Sequence, residues 1–181
     1  MGHKHTRSEI LDGALALAID DGLSQLTFGR VAKRLDISDR IVVYYFPTKD
    51  DLISEVILAM GNQLQEALVP AFTETAADHV ELVRTAWPLL ARPEVDPTFA
   101  LFFEANGLAT AGREPYTSLV PTLVTLWVDW VMTLVEGSEE HRRTEAEATI
   151  ALLDGLLLLR LLIGADAADR AAKRLGFAEP G

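Results

Sequence analysis

An all-α protein is the fold class that this sequence predicts, and three features of the sequence support it. Apolar residues recur at helical spacing along most of the chain, and the alternation typical of β-strands is scarce. Most prolines and glycines lie between these periodic segments rather than inside them. The sequence therefore predicts a succession of helices separated by short breaks.

The first two helices are predicted from their apolar faces and their end signals. The first extends from about residue 6 to residue 21, and Gly22 supplies the flexible residue that commonly ends a helix. Thr27 is suited to cap a second helix, in which apolar residues recur at i, i+3, i+4 and i+7 from Phe28 to Leu35. Each helix therefore has one face that packs inward.

A tight turn and a third short helix follow. The turn contains Asp36, and Ser38 is suited to cap a helix that ends near Tyr45. Thr48 and Asp51 resemble a capping box at the start of a longer helix. Two short helices joined by such a turn, behind a supporting helix, form a helix-turn-helix, whose second helix enters the major groove of DNA.

Six more helices are predicted after this motif, with breaks at Pro93, Pro97, Gly112, Gly137 and Gly164. They cover residues 49–69, 78–91, 97–110, 115–136, 141–163 and 166–175. We expect residues 1–48 to form a DNA-binding domain and residues 49–181 to form a second helical domain, with the helix 49–69 linking the two.

Composition excludes several classes of protein. There is no cysteine, so neither a disulfide framework nor a thiolate metal site is possible. The N-terminus lacks the apolar stretch of a signal peptide, and the most apolar segment, 150–163, is shorter than the roughly 20 residues that span a bilayer. We expect a cytoplasmic protein with no membrane partner.

The net charge of −11 is unfavourable for binding nucleic acid, but the charges are unevenly distributed. Residues 1–50 contain as many basic as acidic residues, namely Lys4, Arg7, Arg30, Lys33, Arg34, Arg40 and Lys49 against Glu9, Asp12, Asp20, Asp21, Asp36, Asp39 and Asp50. The whole acidic excess therefore lies later in the chain, either as a solvated surface or as a region with a different partner.

A more specific signal is the segment 26–52, LTFGRVAKRLDISDRIVVYYFPTKDDL. It resembles the signature of the tetracycline-repressor (TetR) family, in which a Thr opens the second helix, a small Ala packs inside, and an aromatic residue precedes Pro, a polar residue and Lys. Those positions are Thr27, Ala32, Phe46, Pro47, Thr48 and Lys49, and Leu52 completes the signature. The resemblance implies a transcriptional regulator, most often a repressor, that binds a palindromic double-stranded DNA operator as a homodimer and is released by a small molecule.

The resemblance also implies which residues bind DNA. Thr27 and Lys49 would contact phosphates, or else Thr27 only caps its helix and Lys49 is only solvated. Arg40 would donate two hydrogen bonds to a guanine, or else reach the DNA backbone. The third helix would present Ser38, Asp39, Arg40, Ile41, Val43, Tyr44 and Tyr45, with Val42 and Phe46 turned inward.

Three positions of this segment depart from the family pattern. Asp36 stands where the turn usually has Gly, although Asp tolerates the left-handed conformation better than most residues. Val43 replaces a phosphate-binding Tyr, whose hydrogen bond a valine cannot make. Asp39 places a negative charge where the third helix would meet DNA, which is unfavourable for binding. Two alternatives are that it stabilises the helix N-terminus or accepts a hydrogen bond from a cytosine amino group.

The helices 115–136 and 141–163 are apolar over more than one face, which suits either an intersubunit four-helix bundle or the centre of a monomeric core. The residues predicted to form a dimer interface are Leu123, Trp130, Leu134, Leu153, Gly155 and Leu156. Those predicted to bind the effector, unless they are ordinary core, are Trp87, Phe99, Phe102, Phe103, Glu104, Asn106, Tyr116 and Trp127. An unpaired Glu104 would favour a cationic effector, and otherwise we expect a neutral, lipophilic molecule.

Two other classes of function compete with this interpretation. An enzyme is not expected, because no nucleophile with a base, phosphate loop or metal-ligand spacing is present, and we predict no cofactor and no metal. His3, His5 and His79 have no nearby acidic or thiol cluster of metal-site spacing, and His141 beside Glu139 and Glu140 is interpreted as part of a charged loop. His3 and His5 flank Lys4 in a predicted flexible arm, for which contact with DNA or with a metal stays open. The stronger rival is an interaction or ligand-binding protein of the same fold whose DNA binding is weakened or lost, as Asp39, Val43 and the neutral N-terminal segment suggest.

Overall fold

The computed structural model describes residues 6–177, and within this range the fold is all-α, as predicted. Its helices are α1 (Arg7–Asp21), α2 (Phe28–Leu35), α3 (Asp39–Tyr45), α4 (Lys49–Leu68), α5 (His79–Leu90), α6 (Asp96–Thr110), α7 (Tyr116–Met132), α8 (Glu139–Ile163) and α9 (Ala165–Leu175). Every predicted helix is present. Three single turns of 3-10 helix, Leu23–Gln25, Val69–Ala71 and Pro93–Val95, were not predicted, because three residues are too short to show a periodicity.

Two details of the predicted boundaries are wrong. The helix predicted for 115–136 ends at Met132, because the following residues bond to another part of the chain. Ala76 donates to the Leu134 carbonyl at 2.7 Å, and Glu136 donates to the Ala76 carbonyl at 3.0 Å. Pro97 is not a break but lies in the first turn of α6, where a missing N–H costs no helical hydrogen bond.

Contacts divide the chain into two compact units. The first contains the chain up to Gln63 together with Ala100–Pro121, and the second contains Leu64–Phe99 and the chain from Thr122 onward. Consequently α4, α6 and α7 each contribute residues to both units. The division into functional domains at residue 48 stays a prediction.

In the first unit, α2 packs against both α1 and α3. The predicted inner face of α1 is buried, and so are Val31 and Ala32 on α2 and Val42 on α3. The predicted caps are confirmed: Thr27 Oγ1 accepts from the Arg30 amide at 3.3 Å, and Ser38 Oγ accepts from the Arg40 amide at 3.3 Å. The helices of the motif therefore begin at residues that satisfy their free amides.

In the second unit, α8 packs against α5 and α9. A buried cluster at one end consists of Ala76, Leu82, Val128, Val131, Met132, Val135 and Ala146. Arg160 is buried on α8 and forms two hydrogen bonds with the Asp96 carboxylate, at 2.6 and 3.1 Å. A buried guanidinium needs such a partner, because an unpaired one would lose its hydration without compensation.

Within residues 6–177, which do not include His3 and His5, His79 and His141 both lie next to the carboxylate of Glu145. Their spacing in the sequence did not indicate this cluster. Glu145 Oε2 accepts from the His79 amide at 2.8 Å and lies 2.6 Å from His79 Nδ1, and His141 Nδ1 lies 3.9 Å from Glu145 Oε1. The hydrogen bonds from the His79 backbone and side chain lower the pKa of Glu145. This cluster joins the start of α5 to α8.

The turn between α2 and α3 depends on Asp36. Its φ of 54° and ψ of 45° are left-handed, as predicted, and its amide donates to the α2 carbonyls of Ala32 and Lys33. An L-residue is disfavoured in this conformation, and a negative charge at a helix C-terminus is also unfavourable.

We expect Asp36→Gly to raise the free energy of unfolding by about 0.5 to 1 kcal/mol, because glycine adopts this conformation without a Cβ penalty. Asp36→Ala should lower it by about 1 kcal/mol. Urea unfolding followed by circular dichroism measures both. A glycine variant no more stable than the alanine variant would contradict the assignment of strain to this position.

Asp154, on α8, is a partly buried carboxylate that forms no hydrogen bond or ion pair with the residues that the structure describes. Burial raises its pKa from an ordinary 3.8 to about 6. The folded protein therefore binds this proton more tightly than the unfolded chain. Stability from this group is present below the unfolded pKa and is lost as pH rises through the folded pKa.

Asp154→Asn should therefore raise the free energy of unfolding at pH 7 by about 2 kcal/mol, with the gain vanishing below about pH 4. Chemical unfolding at a series of pH values measures the difference. Glu147→Gln, an exposed carboxylate on the same helix, is the matched control and should change stability little. An equal gain for both variants at every pH would argue against burial as the cause.

Candidate functional site

The helix α3 has one buried face and one exposed face, as the sequence predicts for a recognition helix. Val42 is fully buried, and Phe46, which ends the helix, is 1% exposed. On the other side Val43 is 41% exposed and Tyr44 is 79% exposed. Ser38, Asp39, Arg40 and Ile41 are exposed as well, and Tyr45 is half-buried.

Local interactions order the exposed face of α3. Tyr44 and Tyr45 pack edge to face, with ring centroids 5.0 Å apart. Asp39 lies in the first turn of the helix, where a negative charge is favourable. One of the two roles considered for Asp39, support of the helix N-terminus, therefore agrees with its position.

Thr27 and Lys49 lie at the starts of α2 and α4. Thr27 caps α2, and since its hydroxyl only accepts in that contact, its proton can still be donated to a phosphate oxygen. Lys49 is the exposed first residue of α4, behind the predicted capping box. In that box the Thr48 hydroxyl accepts from the Asp51 amide, and the Asp51 carboxylate accepts from the Thr48 amide, both at 3.0 Å. The phosphate contacts of both residues stay predictions.

Most arginines of this region are paired with carboxylates of the same unit. Arg7 lies 2.8 Å from Glu55 and 5.0 Å from the centre of the Phe46 ring. Arg30 lies 2.6 Å from Asp21, and Arg34 lies 2.8 Å from Asp20, a residue of α1. Counting charges along the sequence could not show this pairing.

Three cations remain outside these pairs. Within the described part of the chain Lys33, Arg40 and Lys49 form no ion pair, and all three are exposed. They are the groups of the motif that are free to meet phosphates or bases. Arg40 belongs to α3 and Lys49 begins α4, so both belong to elements that the family signature places at DNA.

The residues predicted to bind an effector are divided between the two units. Trp87, Phe99 and Trp127 belong to the second unit. Phe102, Phe103, Glu104, Asn106 and Tyr116 belong to the first. In the second unit Trp87 is buried within α5, and the rings of Trp127 and Trp130 pack edge to face with centroids 5.1 Å apart.

In the first unit, the polar candidates differ in whether they have partners. Glu104 is not an unpaired carboxylate, because it accepts from the amides of Leu23 at 2.9 Å and Ser24 at 3.2 Å. Asn106 Oδ1 is buried and has no hydrogen-bond partner among the described residues. Burial, with smaller contributions from Glu104 and Asp50, raises the pKa of Tyr116 to about 12. Asn106 is thus the candidate with an unused acceptor.

The residues predicted for a dimer interface differ in exposure. Leu123 and Leu156 are 4% exposed, so this chain's own core leaves them little surface for a partner. Trp130, Leu134 and Leu153 are partly buried. Gly155 is exposed, and apart from its chain neighbours and the backbone of its own helix no atom of residues 6–177 lies within 4 Å of the position of a Cβ.

Sequence reasoning identified Gly155 but missed the exposed apolar side chains near it on α8. Leu158, Leu162 and Ile163 are all exposed, and with Ala151 and Gly155 they form a strip that we call the α8 strip. Four of these, Ala151, Gly155, Leu158 and Leu162, follow the helical spacing of four, three and four residues. The helix is apolar on several faces, so the pattern alone does not show which face stays uncovered.

Residues 6–177 also lack two other kinds of site. This part of the chain contains no group of three His, Cys, Asp or Glu side chains arranged to hold a metal ion. None of its helices has the length and apolar character needed to cross a membrane.

Comparison with known proteins places the N-terminal region in a defined group. Residues 10–56 match the family model described as bacterial regulatory proteins, tetR family. No curated protein matches the chain. The match spans α1, α2, α3 and the start of α4, and therefore contains the whole candidate surface.

Solved structures extend the likeness to the full chain. A transcriptional regulator from Rhodococcus sp. Rha1 is 18% identical, with 97% of this chain and 100% of that chain covered and a TM-score of 0.73. A member of the TetR family from Streptomyces coelicolor A3 is 25% identical, with 94% and 98% covered and a TM-score of 0.68. The multidrug binding protein EbrR complexed with imidazole is 26% identical, with 100% and 96% covered and a TM-score of 0.68, and EbrR was also solved with proflavin.

Proposed function

We propose that this chain, whose residues 10–56 match the family model of the tetR bacterial regulatory proteins, is a transcriptional regulator that represses its target genes as a homodimer on a palindromic operator. A small molecule would release it from DNA in the cytoplasm. The main support for DNA binding is the arrangement of buried and exposed residues on α3. Its Val42 and Phe46 are buried, while Val43, Tyr44 and Arg40, which has no ion pair in the described part of the chain, are exposed on its surface.

The geometry of α3 supports insertion into the major groove. A recognition helix contacts base edges with its N-terminal residues, and here those are Asp39, Arg40 and Ile41. Arg40 is the residue among them that can donate two hydrogen bonds to guanine. Thr27 and Lys49, at the starts of α2 and α4, supply the phosphate contacts that fix the orientation of the motif.

Charge pairing supports a modest electrostatic contribution to binding. Arg7, Arg30 and Arg34 are already paired with carboxylates, so DNA would compete for them. Each phosphate that is neutralised contributes about 0.9 to the slope of log affinity against log salt. With few unpaired cations, the slope should be shallow and specificity should depend strongly on α3.

Homodimerisation is supported by the α8 strip. Leu162 is 74% exposed and Ile163 is 71% exposed. Monomeric soluble proteins rarely leave a continuous apolar patch in contact with water, because its burial against a partner is favourable. Gly155, within the strip, would let a partner helix approach closely. Reading a palindromic operator also requires two copies of α3 about 34 to 36 Å apart, the spacing of successive major grooves, and a homodimer supplies two such copies.

The effector is proposed to be a lipophilic organic molecule. This proposal is supported by EbrR, a multidrug binding protein of similar fold that was solved in complex with imidazole and with proflavin, both of which are organic ring compounds. In this chain Phe102 and Phe103 supply apolar surface on α6, and Asn106 supplies a buried acceptor that has no partner within residues 6–177. A ligand donor bound to Asn106 would satisfy that atom.

A second candidate function is a protein of this fold with weakened or lost DNA binding. Asp39 and Val43 are its motivation, because one adds negative charge and the other removes a hydrogen-bonding group at the proposed DNA surface. Selection of bound sequences from randomised duplex DNA separates the two functions. Failure of the protein to enrich any sequence, together with no salt-sensitive binding, would favour this second function.

If the repressor proposal is correct, Arg40→Ala should weaken binding to the selected sequence by about 1 to 3 kcal/mol and relax the preference at one base pair in each half-site. Fluorescence anisotropy with single-base variants of the selected duplex measures this. Lys49→Ala is the control for a phosphate contact. It should weaken binding to all DNA sequences alike and reduce the slope of log affinity against log salt by about one. An unchanged base preference in Arg40→Ala would refute the assignment of Arg40.

The α8 strip predicts the effect of a charge on dimerisation. Leu162→Glu should raise the dissociation constant of the dimer by at least about 100-fold. In a two-fold dimer each substitution occurs twice, so the interface loses two buried leucines and gains two buried charges. Sedimentation equilibrium measures the dissociation constant. Leu175→Glu is the matched control, since Leu175 is a 51% exposed leucine on α9, outside the strip, and that variant should stay dimeric. A wild-type monomer at micromolar concentration would contradict the proposed interface.

A further inference from the structure

The carboxylate of Glu104, on α6, is bound to the backbone of the turn that joins α1 to α2. The Leu23 amide donates to Glu104 Oε2 at 2.9 Å, and the Ser24 amide donates to Glu104 Oε1 at 3.2 Å. Both oxygens of one carboxylate are thus used on adjacent amides of a segment about 80 residues away in sequence. Hydrogen bonds to an ionised acceptor are the strong kind.

The backbone before this turn is shaped for the contact. Gly22 has φ 89°, a conformation that favours glycine. A Cβ at Gly22 would lie 3.1 Å from Glu104 Oε2, closer than ordinary van der Waals contact. Glycine at this position therefore allows both the turn and the close approach of the carboxylate.

The turn is in direct contact with the helix-turn-helix. Arg30, on α2, donates to Asp21 at the end of α1 and to Gln25 in the turn. On the other side α2 packs against α3. A continuous series of contacts within the first unit therefore leads from Glu104 through the turn to α2 and α3.

We propose that Glu104 is a positioning residue for DNA binding, which couples the position of α6 to that of the helix-turn-helix. The carboxylate holds the α1–α2 turn, and through it α2, in the arrangement in which α3 binds DNA. Displacement of Glu104 from the Leu23 and Ser24 amides lowers the affinity for DNA. The inference rests on the proposed DNA-binding function and adds the residue through which α6 controls it.

Two variants separate position from charge. Glu104→Gln keeps the size of the side chain but removes its charge and one of its acceptors, whereas Glu104→Asp keeps the charge and shortens the reach by one methylene. Asp12→Asn is the matched control, because Asp12 is an exposed carboxylate on α1 that has no hydrogen bond or ion pair within residues 6–177. Removing a negative charge alone strengthens binding to DNA, so position and charge have opposite effects.

The probe is the duplex selected by the wild-type protein from randomised DNA, and the readout is its dissociation constant well below the melting temperature. We expect Glu104→Gln and Glu104→Asp to bind at least about fivefold more weakly, within the usual range of coupling between sites. Asp12→Asn should bind equally or more tightly. Hydrogen exchange should show loss of protection at the Leu23 and Ser24 amides in both Glu104 variants.

The outcomes are distinguishable. If the wild-type protein selects no DNA, the proposed function fails. If it selects DNA but Glu104→Asp binds like the wild type and Glu104→Gln binds like Asp12→Asn, this inference is overturned. A purely structural role would lower the melting temperature of the variants and leave the affinity of the folded protein unchanged, which also overturns it. Should Glu104→Gln fail to fold, Glu104→Asp decides the question.

Discussion

The exposed surface of α3 depends on the burial of Val42 and Phe46. A helix of seven residues is far shorter than the about 12 to 15 that an isolated helix needs, so packing rather than propensity maintains it. Val42 and Phe46 lie four residues apart, on one face. Their burial fixes the rotation of α3 about its axis, and this rotation determines that Arg40, Val43 and Tyr44 face outward.

Charge pairing is a second constraint on the same surface. In a protein with a net charge of −11, unpaired basic residues would be scarce in any case. Here Arg7, Arg30 and Arg34 also bind carboxylates of their own unit, which stabilises the packing of the motif at the expense of its attraction for phosphate. Exposed pairs of this kind contribute little to stability each, about 0 to 1 kcal/mol, so DNA can compete for them.

The success of sequence-based prediction differed between local and long-range features. Caps at Thr27 and Ser38, the left-handed Asp36 and the burial of Val42 follow from residue type and spacing over a few positions, and all are confirmed. The hydrogen bonds of Glu104 to a turn about 80 residues away cannot be predicted from local spacing, because they depend on how distant segments pack together.

The residues of an effector pocket and of a dimer interface also depend on long-range packing, which local spacing does not predict. Aromatic and apolar residues are buried whether they line a pocket or fill a core, so their periodicity does not separate the two. The exposed face of α8 likewise depends on which neighbours cover this helix, and Gly155 and Leu162 are identified as exposed only by the fold. The DNA-binding motif was predictable because it is short and nearly continuous in sequence.

Helix geometry places Glu104 and Asn106 on different sides of α6. Successive residues of an α-helix are about 100° apart around its axis, so Asn106 is roughly 200° from Glu104, on the opposite side of α6. Leu101 and Ala105 are buried between these directions and keep the helix packed in place. In the proposed function, a ligand that satisfies Asn106 would act on the side of α6 opposite to the one that holds the turn before α2. Under the inference drawn for Glu104, a small shift of the packed helix would lengthen the two hydrogen bonds of Glu104, and binding at α6 would thereby change the position of α2.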